Sequence, residues 1–317
     1  MNASVRTSAL ADLLLLVVAL IWGTSYGVVK NALLVYPVLG LLALRFGITF
    51  FVLLPALRGL IHLRRRDWAA VTAVGLILLG IFLAETIGVS LTSASNAAFL
   101  ISLCVVATPL VEWAWLKRAP RPLEWAAGAI SLLGAFLLGG GAFVFSWGDA
   151  LILLAALLRA VNVCATKRVM RDRNLSPLMV TSVQAGVVSF GCIALMLAIS
   201  PEQLQPLPSL TGHSIFWGSL LYLVTGCTLL AFFVQNYAVN QSSPTRVALL
   251  MGSEPVFGAI FASLWLGERL SVLGWVGGGL IVAASLLATV GSRDAPKSEL
   301  RPRTKAAVQP DAGSTRA

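Results

Sequence analysis

The sequence predicts an all-α integral membrane protein with ten transmembrane helices, arranged as two inverted five-helix repeats. Three observations support this fold class: composition, long uncharged segments and an internal duplication. Hydrophobic residues make up 58% of the 317 positions and charged residues only 11%, which excludes an ordinary soluble domain. Several segments contain no Asp, Glu, Lys or Arg and are long enough to cross a bilayer as a helix. They cover residues 13–29, 125–148, 174–201, 203–245 and 270–292.

Ten spans follow when the chain is divided at its polar and turn-forming residues. The apolar residues of each span run continuously instead of alternating, which favours helices over the strands of a membrane barrel. The predicted spans cover approximately residues 10–29, 37–57, 69–90, 96–116, 123–141, 148–166, 178–199, 214–238, 246–266 and 271–291.

The middle of the chain recurs 150 positions later, near its end. Trp115-Leu116 matches Trp265-Leu266, and the polar pair Glu85-Thr86 matches Gln235-Asn236. A second interval, of 137 residues, pairs Asp12 with Asp149, Trp22 with Arg159, and Ser25 with Asn162. Duplicated hydrophobic halves of this kind are typical of membrane transporters whose binding site lies between the halves.

The duplication also predicts the domain organisation. Five spans in each half is an odd number, so the second half must enter the membrane in the opposite orientation to the first. The predicted units are a first repeat over residues 1–140, a second, inverted repeat over 141–291, and a disordered cytoplasmic tail over 292–317, which is rich in charge and Pro.

The net charge of +10 follows the membrane topology rather than indicating nucleic-acid binding. With the N-terminus inside, only Lys30 and Arg269 fall on the outer side, and Arg45 and Arg159 lie within spans. All other Lys and Arg residues then face the cytoplasm, as the positive-inside rule requires. We therefore expect a multi-pass protein of the cell (inner) membrane with both termini cytoplasmic.

Three motifs occur in order along these spans. They are Trp22-Gly23-Thr24-Ser25, the turn from Thr92 to Ala98, and Ser253-Glu254-Pro255 followed by Leu266-Gly267-Glu268-Arg269. Over roughly residues 10–290 the chain resembles EamA-type members of the drug/metabolite transporter superfamily. The resemblance implies a ten-helix permease or exporter of small metabolites, often amino acids. The first half departs from the pattern, since Lys117-Arg118 stands where the second half has Gly267-Glu268.

Ionisable residues inside the predicted spans are the candidate site residues, because a buried charge needs a partner or a water-lined cavity. Glu85 and Gln235, matched by the duplication, are predicted to line the cavity from opposite sides, with hydrogen bonds from Thr86, Asn236 and Tyr237. Arg159 would bind a carboxylate. Glu85 or Glu254 would bind a substrate amine or carry a coupling proton. Trp22 and Tyr26, one helical turn apart, could stack against the substrate, and Asn162 completes the predicted set.

A structural interpretation of the same residues stays open. Arg45–Glu85 and Arg159–Glu254 would then be ion pairs that hold helices together, and Trp22 and Tyr26 would be packing residues. Glu112, placed nearer the cytoplasmic end of its span, is expected to extend towards the lipid headgroups.

The residues needed for the common enzyme chemistries are missing from the pattern. The only histidines, His62 and His213, fall in predicted loops, and the four cysteines have no metal-ligand spacing. Gly139-Gly140-Gly141 lacks the Lys-Ser/Thr of a nucleotide-binding loop. We therefore expect no enzyme activity, no catalytic residue, no cofactor and no metal.

The function predicted from these observations is transport of small metabolites, such as amino acids, with export as the direction. Alternating access between the two inverted repeats is the expected mechanism. The expected partners are a small, zwitterionic substrate, a coupling proton and the lipid bilayer, with no nucleic acid. The protein is expected to be a monomer or a homodimer. The alternatives are a passive facilitator or channel, and a lipid-scrambling or scaffold protein that does not transport solutes.

Overall fold

The computed structural model describes residues 3–60, 64–92, 94–138, 146–265 and 271–291, and these ranges contain thirteen α-helices and no strand. The first six helices are α1 (Ala3–Leu33), α2 (Val38–Leu53), α3 (Arg65–Leu91), α4 (Ala94–Ile101), α5 (Cys104–Leu116) and α6 (Pro122–Leu138). The next seven are α7 (Trp147–Arg173), α8 (Pro177–Ala198), α9 (Ser214–Val224), α10 (Ala231–Gln241), α11 (Pro244–Met251), α12 (Glu254–Trp265) and α13 (Val272–Gly291). Short 3₁₀ segments cover Leu54–Leu60 and Pro201–Gln203, and a π-helical segment, Thr225–Leu230, joins α9 to α10.

These helices form the membrane-spanning architecture expected from the sequence. Seven segments of the described chain are long and apolar enough to cross a bilayer, and α6 and α13 contain shorter apolar stretches. The pair α11–α12 occupies the remaining predicted span. The prediction of an all-α, multi-span membrane fold is confirmed. The predicted tail, residues 292–317, lies outside the described residues.

Local sequence explains where several helices begin and end. Ser146 and Asp149 form a capping box at the start of α7, and Ser176 caps α8 ahead of Pro177. Lys117 and Asn174 adopt left-handed backbone conformations, with φ of 57° and 52°, directly after α5 and α7. Such a conformation ends an α-helix because the next residue cannot continue the hydrogen-bond ladder.

Two spans are broken near their middles, and the breaks recur at the same interval as the sequence. α4 and α5 are separated by Ser102-Leu103, and α11 and α12 by Gly252-Ser253. The bounds of α11 and the start of α12 lie 150 residues after those of α4 and α5. In the membrane, such non-helical backbone is tolerated where it is buried in protein or lines a cavity.

Close helix contacts depend on small residues at defined positions. α6 packs along α13, where a Cβ on Gly134 would lie 2.6 Å from the Gly277 carbonyl oxygen and a Cβ on Gly277 would overlap the Gly134 carbonyl. α3 meets α7 at Gly88 and Gly148 in the same reciprocal way. Without a hydrophobic driving force between helices in lipid, this backbone proximity supplies the packing energy.

The α6–α13 contact provides a stability test with a matched control on one helix. Gly277→Val should destabilise the protein by about 1–3 kcal/mol because its side chain would overlap backbone atoms of α6. Gly279→Val should cost little, since nothing lies within 4 Å of a Cβ at that position. The measurement is the thermal midpoint of the detergent-solubilised protein by size-exclusion chromatography. Equal midpoints for the two variants would contradict the packing described.

Candidate functional site

A buried charge network lies at the centre of the described helices. Arg159, near the middle of α7, places Nη1 3.2 Å from Glu254 Oε2 and Nη2 3.4 Å from Glu85 Oε2. The side chains of these residues are 14%, 4% and 13% exposed, respectively. Tyr26 donates a hydrogen bond of 2.6 Å from its hydroxyl to Glu254 Oε1. One guanidinium therefore connects α3, α7 and α12, and the tyrosine adds α1.

Helix α12 begins at Glu254, so the break in its span determines where this carboxylate lies. The N-terminal end of a helix carries a partial positive charge, which stabilises a nearby carboxylate. Glu85 has weaker partners than Glu254: Arg159 Nη2 donates to its Oε1 at 3.5 Å, and its Oε2, 3.4 Å from the same nitrogen, accepts no hydrogen bond among the described residues. Of the two carboxylates, Glu85 is thus the more available to another ligand.

Trp22 packs against the network from α1. The Arg159 guanidinium carbon lies 4.8 Å from the centroid of the Trp22 ring, a cation–π arrangement. The Trp22 indole nitrogen donates to the Cys227 carbonyl, at 2.9 Å, within the π-helical segment. Trp22 and Arg159 are also the residues that the 137-residue interval pairs. The two matched helices α1 and α7 therefore touch through equivalent positions.

Two small cavities flank this contact. The α3 cavity is lined by Tyr26, Arg45, Phe82, Glu85 and Thr86, among others. The α11 cavity is lined by Ser102, Cys104, Thr108, Gln235, Met251 and Glu254, among others. Both are also bordered by Trp22 and Arg159, and each has a volume of about 20 Å³, which is room for about one water molecule. In this conformation the site is closed to a metabolite.

Most predicted site residues fall at this centre, and three do not. Trp22, Tyr26, Glu85, Thr86, Arg159, Gln235 and Glu254 line one cavity or both. Asn236 instead faces α8, donating to Thr181 Oγ1 at 2.9 Å and Gln184 Oε1 at 3.1 Å.

The other two residues lie apart from the cavities in different ways. Tyr237 stacks on Phe233 with ring centroids 6.4 Å apart. Asn162 is buried, and its side-chain oxygen has no hydrogen-bond partner within the described ranges. Neither residue is among those that line the two cavities, so a substrate contact at Asn162, Asn236 or Tyr237 stays a prediction.

Of the two ion pairs considered from the sequence, one is present and the other is replaced. Arg159 pairs with Glu254 as expected, but Glu85 pairs with Arg159 rather than with Arg45. Arg45 Nε donates instead to Thr228 Oγ1 at 2.6 Å, and its Nη2 lies 3.4 Å from the Cys227 carbonyl oxygen. The π-helical segment makes this possible, because its irregular hydrogen bonding frees backbone groups for side-chain partners.

The expectation that Glu112 extends to the lipid headgroups is wrong. Its residue surface is only 1% exposed, and its Oε2 accepts hydrogen bonds from the backbone N–H and the hydroxyl of Thr245 at the start of α11. Arg118 Nη1 lies 3.3 Å from the same oxygen. Asp12 forms an ion pair with Arg246, the next residue of α11. These contacts join α1, α5 and α11 at this end of the bundle.

At the opposite end of the bundle, the residue that the duplication pairs with Asp12 makes the helix contacts. Asp149 accepts a hydrogen bond of 2.6 Å from the Thr92 hydroxyl at the end of α3, and further bonds from Ser146. Asp149 thus ties the start of α7 to the end of α3, and Asp12, on the third turn of α1, ties that helix to α11 at the other end of the molecule.

Sequence reasoning missed several cavity residues that the repeat could have identified. Cys104 lies 150 positions before Glu254, and both residues open a helix after a break and line the α11 cavity. Ser25, paired with Asn162 by the other interval, lines the α3 cavity. No group of three or more His, Cys, Asp or Glu side chains within the described ranges could hold a metal ion.

Comparisons with a family model and with related proteins agree on one family. The model of the EamA-like transporter family matches residues 9–140 and, a second time, residues 146–290. An uncharacterized transporter of Archaeoglobus fulgidus is 26% identical over 280 residues, covering 88% of this chain and 86% of that protein. The uncharacterized inner membrane transporter YedA of Escherichia coli K12 is 29% identical over 283 residues, covering 86% and 88%.

A solved crystal structure has the same fold, with a TM-score of 0.72 at 19% identity over 90% of this chain and 98% of its own. Two matches to the family model together span nearly all of the described residues. The chain therefore belongs to the EamA-like transporter family, whose members are multi-pass membrane transporters.

Proposed function

We propose that this protein is a secondary transporter, an exporter of small zwitterionic metabolites such as amino acids, that works by alternating access between two inverted repeats. The observation that carries the proposal is the buried network of Arg159, Glu85 and Glu254, which separates two water-sized cavities. Positive and negative groups that lie side by side at the centre of a membrane protein match the two charges of a zwitterion.

Charge exchange within this network supports substrate binding. A carboxylate of the substrate can take the place of one glutamate on Arg159, and the substrate ammonium can pair with the glutamate released. No buried charge is left unpaired at any stage, which avoids the penalty of several kcal/mol for an isolated ion. Glu85 is the better candidate for release, because its contacts with Arg159 are the longer ones.

The long contacts of Glu85 with Arg159 also make Glu85 the candidate for the coupling proton. A proton on Glu85 removes the negative charge that otherwise attracts a substrate amine, so proton and substrate binding would exclude each other. Such competition is the basis of antiport. A proton gradient would then drive export without hydrolysis of a nucleotide.

Closure of both ends supports a carrier over an open channel. Asp12 and Glu112 join helices at the α11 end, Asp149 does so at the other end, and each central cavity has room for about one water molecule. An alternating-access carrier must pass through such a closed state. A two-fold relation between the halves is supported by the pairing of matched helices, α2 with α8 and α6 with α13, and the inverted orientation follows from the odd number of spans in each half. The predicted topology, with both termini cytoplasmic, follows from the charge distribution.

The proposal is tested by counterflow in proteoliposomes. Vesicles preloaded with an unlabelled amino acid should take up the same labelled amino acid faster than empty vesicles, for at least one member of a panel of zwitterions. An imposed pH gradient should change net efflux. Equal uptake into loaded and empty vesicles would indicate a channel, and the absence of any flux would leave only a scaffold role.

Glu85→Gln should lower the counterflow rate at least about tenfold, because a neutral amide can neither carry a proton nor pair with an ammonium group. The folded yield should stay near that of the unaltered protein, since the amide still fits the cavity. Glu202→Gln is the matched control, because Glu202 is exposed on a short 3₁₀ turn. Transport by Glu85→Gln at the control rate would remove Glu85 from the mechanism.

Cysteine labelling tests the inverted topology. Lys117 and Ser271, both exposed, stand just after the fourth and just before the tenth span. Reagents that do not cross the membrane should label Lys117→Cys from the cytoplasmic side only and Ser271→Cys from the outer side only. The unaltered protein gives the background, since three of its four cysteines are buried. Labelling of both variants from one side would contradict five spans per repeat.

A further inference from the structure

Arg45 is a second buried guanidinium in the α3 cavity, and the transport roles assigned above do not use it. It lies on α2, is 5% exposed, and lines the cavity together with Glu85 and Arg159. Its side-chain partners are neutral: the Thr228 hydroxyl, the Cys227 carbonyl and the faces of Phe46 and Phe82, whose ring centroids lie 5.3 Å and 5.0 Å away. Within the described residues it has no carboxylate at ion-pair distance.

The two guanidiniums of this cavity thus differ in what they can still bind. Arg159 is already paired with two carboxylates, so a carboxylate ligand must displace one of them. Arg45 has five N–H donors, of which one makes a short hydrogen bond and another a long one of 3.4 Å. A carboxylate at Arg45 would displace no anion, and it would supply the counter-charge that a buried cation lacks.

The charges around the cavity also favour one class of ligand. Arg45 and Arg159 are balanced by Glu85 and Glu254, so these four groups carry no net charge when all are ionised. A ligand that brings one negative and one positive group preserves this balance. Its carboxylate would bind at Arg45 and its ammonium at Glu85. Phe82 and Val89, which border the same cavity, would contact an apolar substituent.

We propose that Arg45, in place of Arg159, binds the carboxylate of the substrate in the α3 cavity, with Glu85 on its amine, and so restricts transport to amino acids over amines. This proposal rests on the proposed transport function and names a recognition residue for it. Arg45 also contacts the π-helical segment, so its alternative role is to hold that segment in place.

Comparing each amino acid with its amide, in the unaltered protein and in Arg45→Gln, distinguishes substrate recognition by Arg45 from a structural role. Leucine, phenylalanine and threonine, and the amide of each, compete for counterflow of the labelled amino acid in proteoliposomes. In the unaltered protein each acid should compete about ten- to a hundredfold better than its amide, which lacks the carboxylate. In Arg45→Gln this preference should vanish because the half-saturating concentration rises for the acid and not for the amide.

A structural role predicts a different result, in which Arg45→Gln weakens acid and amide equally, and that result would overturn the proposal. Equal competition by acid and amide in the unaltered protein would overturn it as well. Should Arg45→Gln not fold, Arg45→Lys serves instead: it keeps the charge but loses the planar fork, and the acid preference should fall several-fold. An unchanged preference in Arg45→Lys would contradict recognition by Arg45. Absence of counterflow for all three amino acids in the unaltered protein would instead refute the transport function itself.

Discussion

The contact of Arg159 with Glu85 and Glu254 is the interaction on which the rest of this structure depends. In a low-dielectric environment each of these charges must be paired. The helices α3, α7 and α12 therefore cannot separate at this depth in the membrane unless another ion replaces one of the three charged groups. The close packing of α3 on α7 also holds these helices together, but it does not depend on which ions lie between them. The ion pairs therefore couple the arrangement of the helices to the charges present between them, which is the physical requirement for substrate-dependent motion.

Irregular backbone determines how the network is held. The break before α12 places Glu254 at a helix start, and the π-helical segment places the Cys227 carbonyl where both Trp22 and Arg45 can donate to it. Regular helices would satisfy their carbonyl groups internally and leave these side chains without acceptors in the membrane. The departures from regular helix are thus concentrated where polar side chains need partners.

Depth along a helix could be predicted from the sequence, but the direction in which a side chain points could not. Counting from span ends correctly matched Arg159 with Glu254. Counting failed for Arg45, whose partners lie on the π-helical segment. The residue types of that segment do not show that its hydrogen bonding is irregular, so the sequence did not reveal an acceptor there. Gln235 and Asn236 are neighbours in sequence, yet one lines the α11 cavity and the other faces α8, as a rotation of about 100° per residue requires.

The broad architecture was predictable for a related reason. Membrane insertion imposes long uncharged segments, and a duplicated gene leaves its residues at a constant interval, so both features are visible along the chain. Glu112 illustrates the limit of that reasoning: its depth suggested an interfacial position, but the start of α11 arrives beside it and supplies two donors. Contacts of this kind depend on which helices pack against each other in space, and a single sequence does not state that directly.

The two aspartates matched by the duplication make different contacts at the two ends of the bundle. Asp12 and Asp149 occupy equivalent positions, but they contact different partners at opposite ends of the bundle, Arg246 on α11 and Thr92 after α3. Asp12 pairs with a cation and Asp149 accepts from a neutral hydroxyl, so the contacts at the two ends differ in chemistry. On the proposed mechanism, opening at the Thr92 end breaks a hydrogen bond that water can replace directly. Opening at the other end requires Arg246 to find a new partner, and water or anionic lipid headgroups at the membrane surface can provide one.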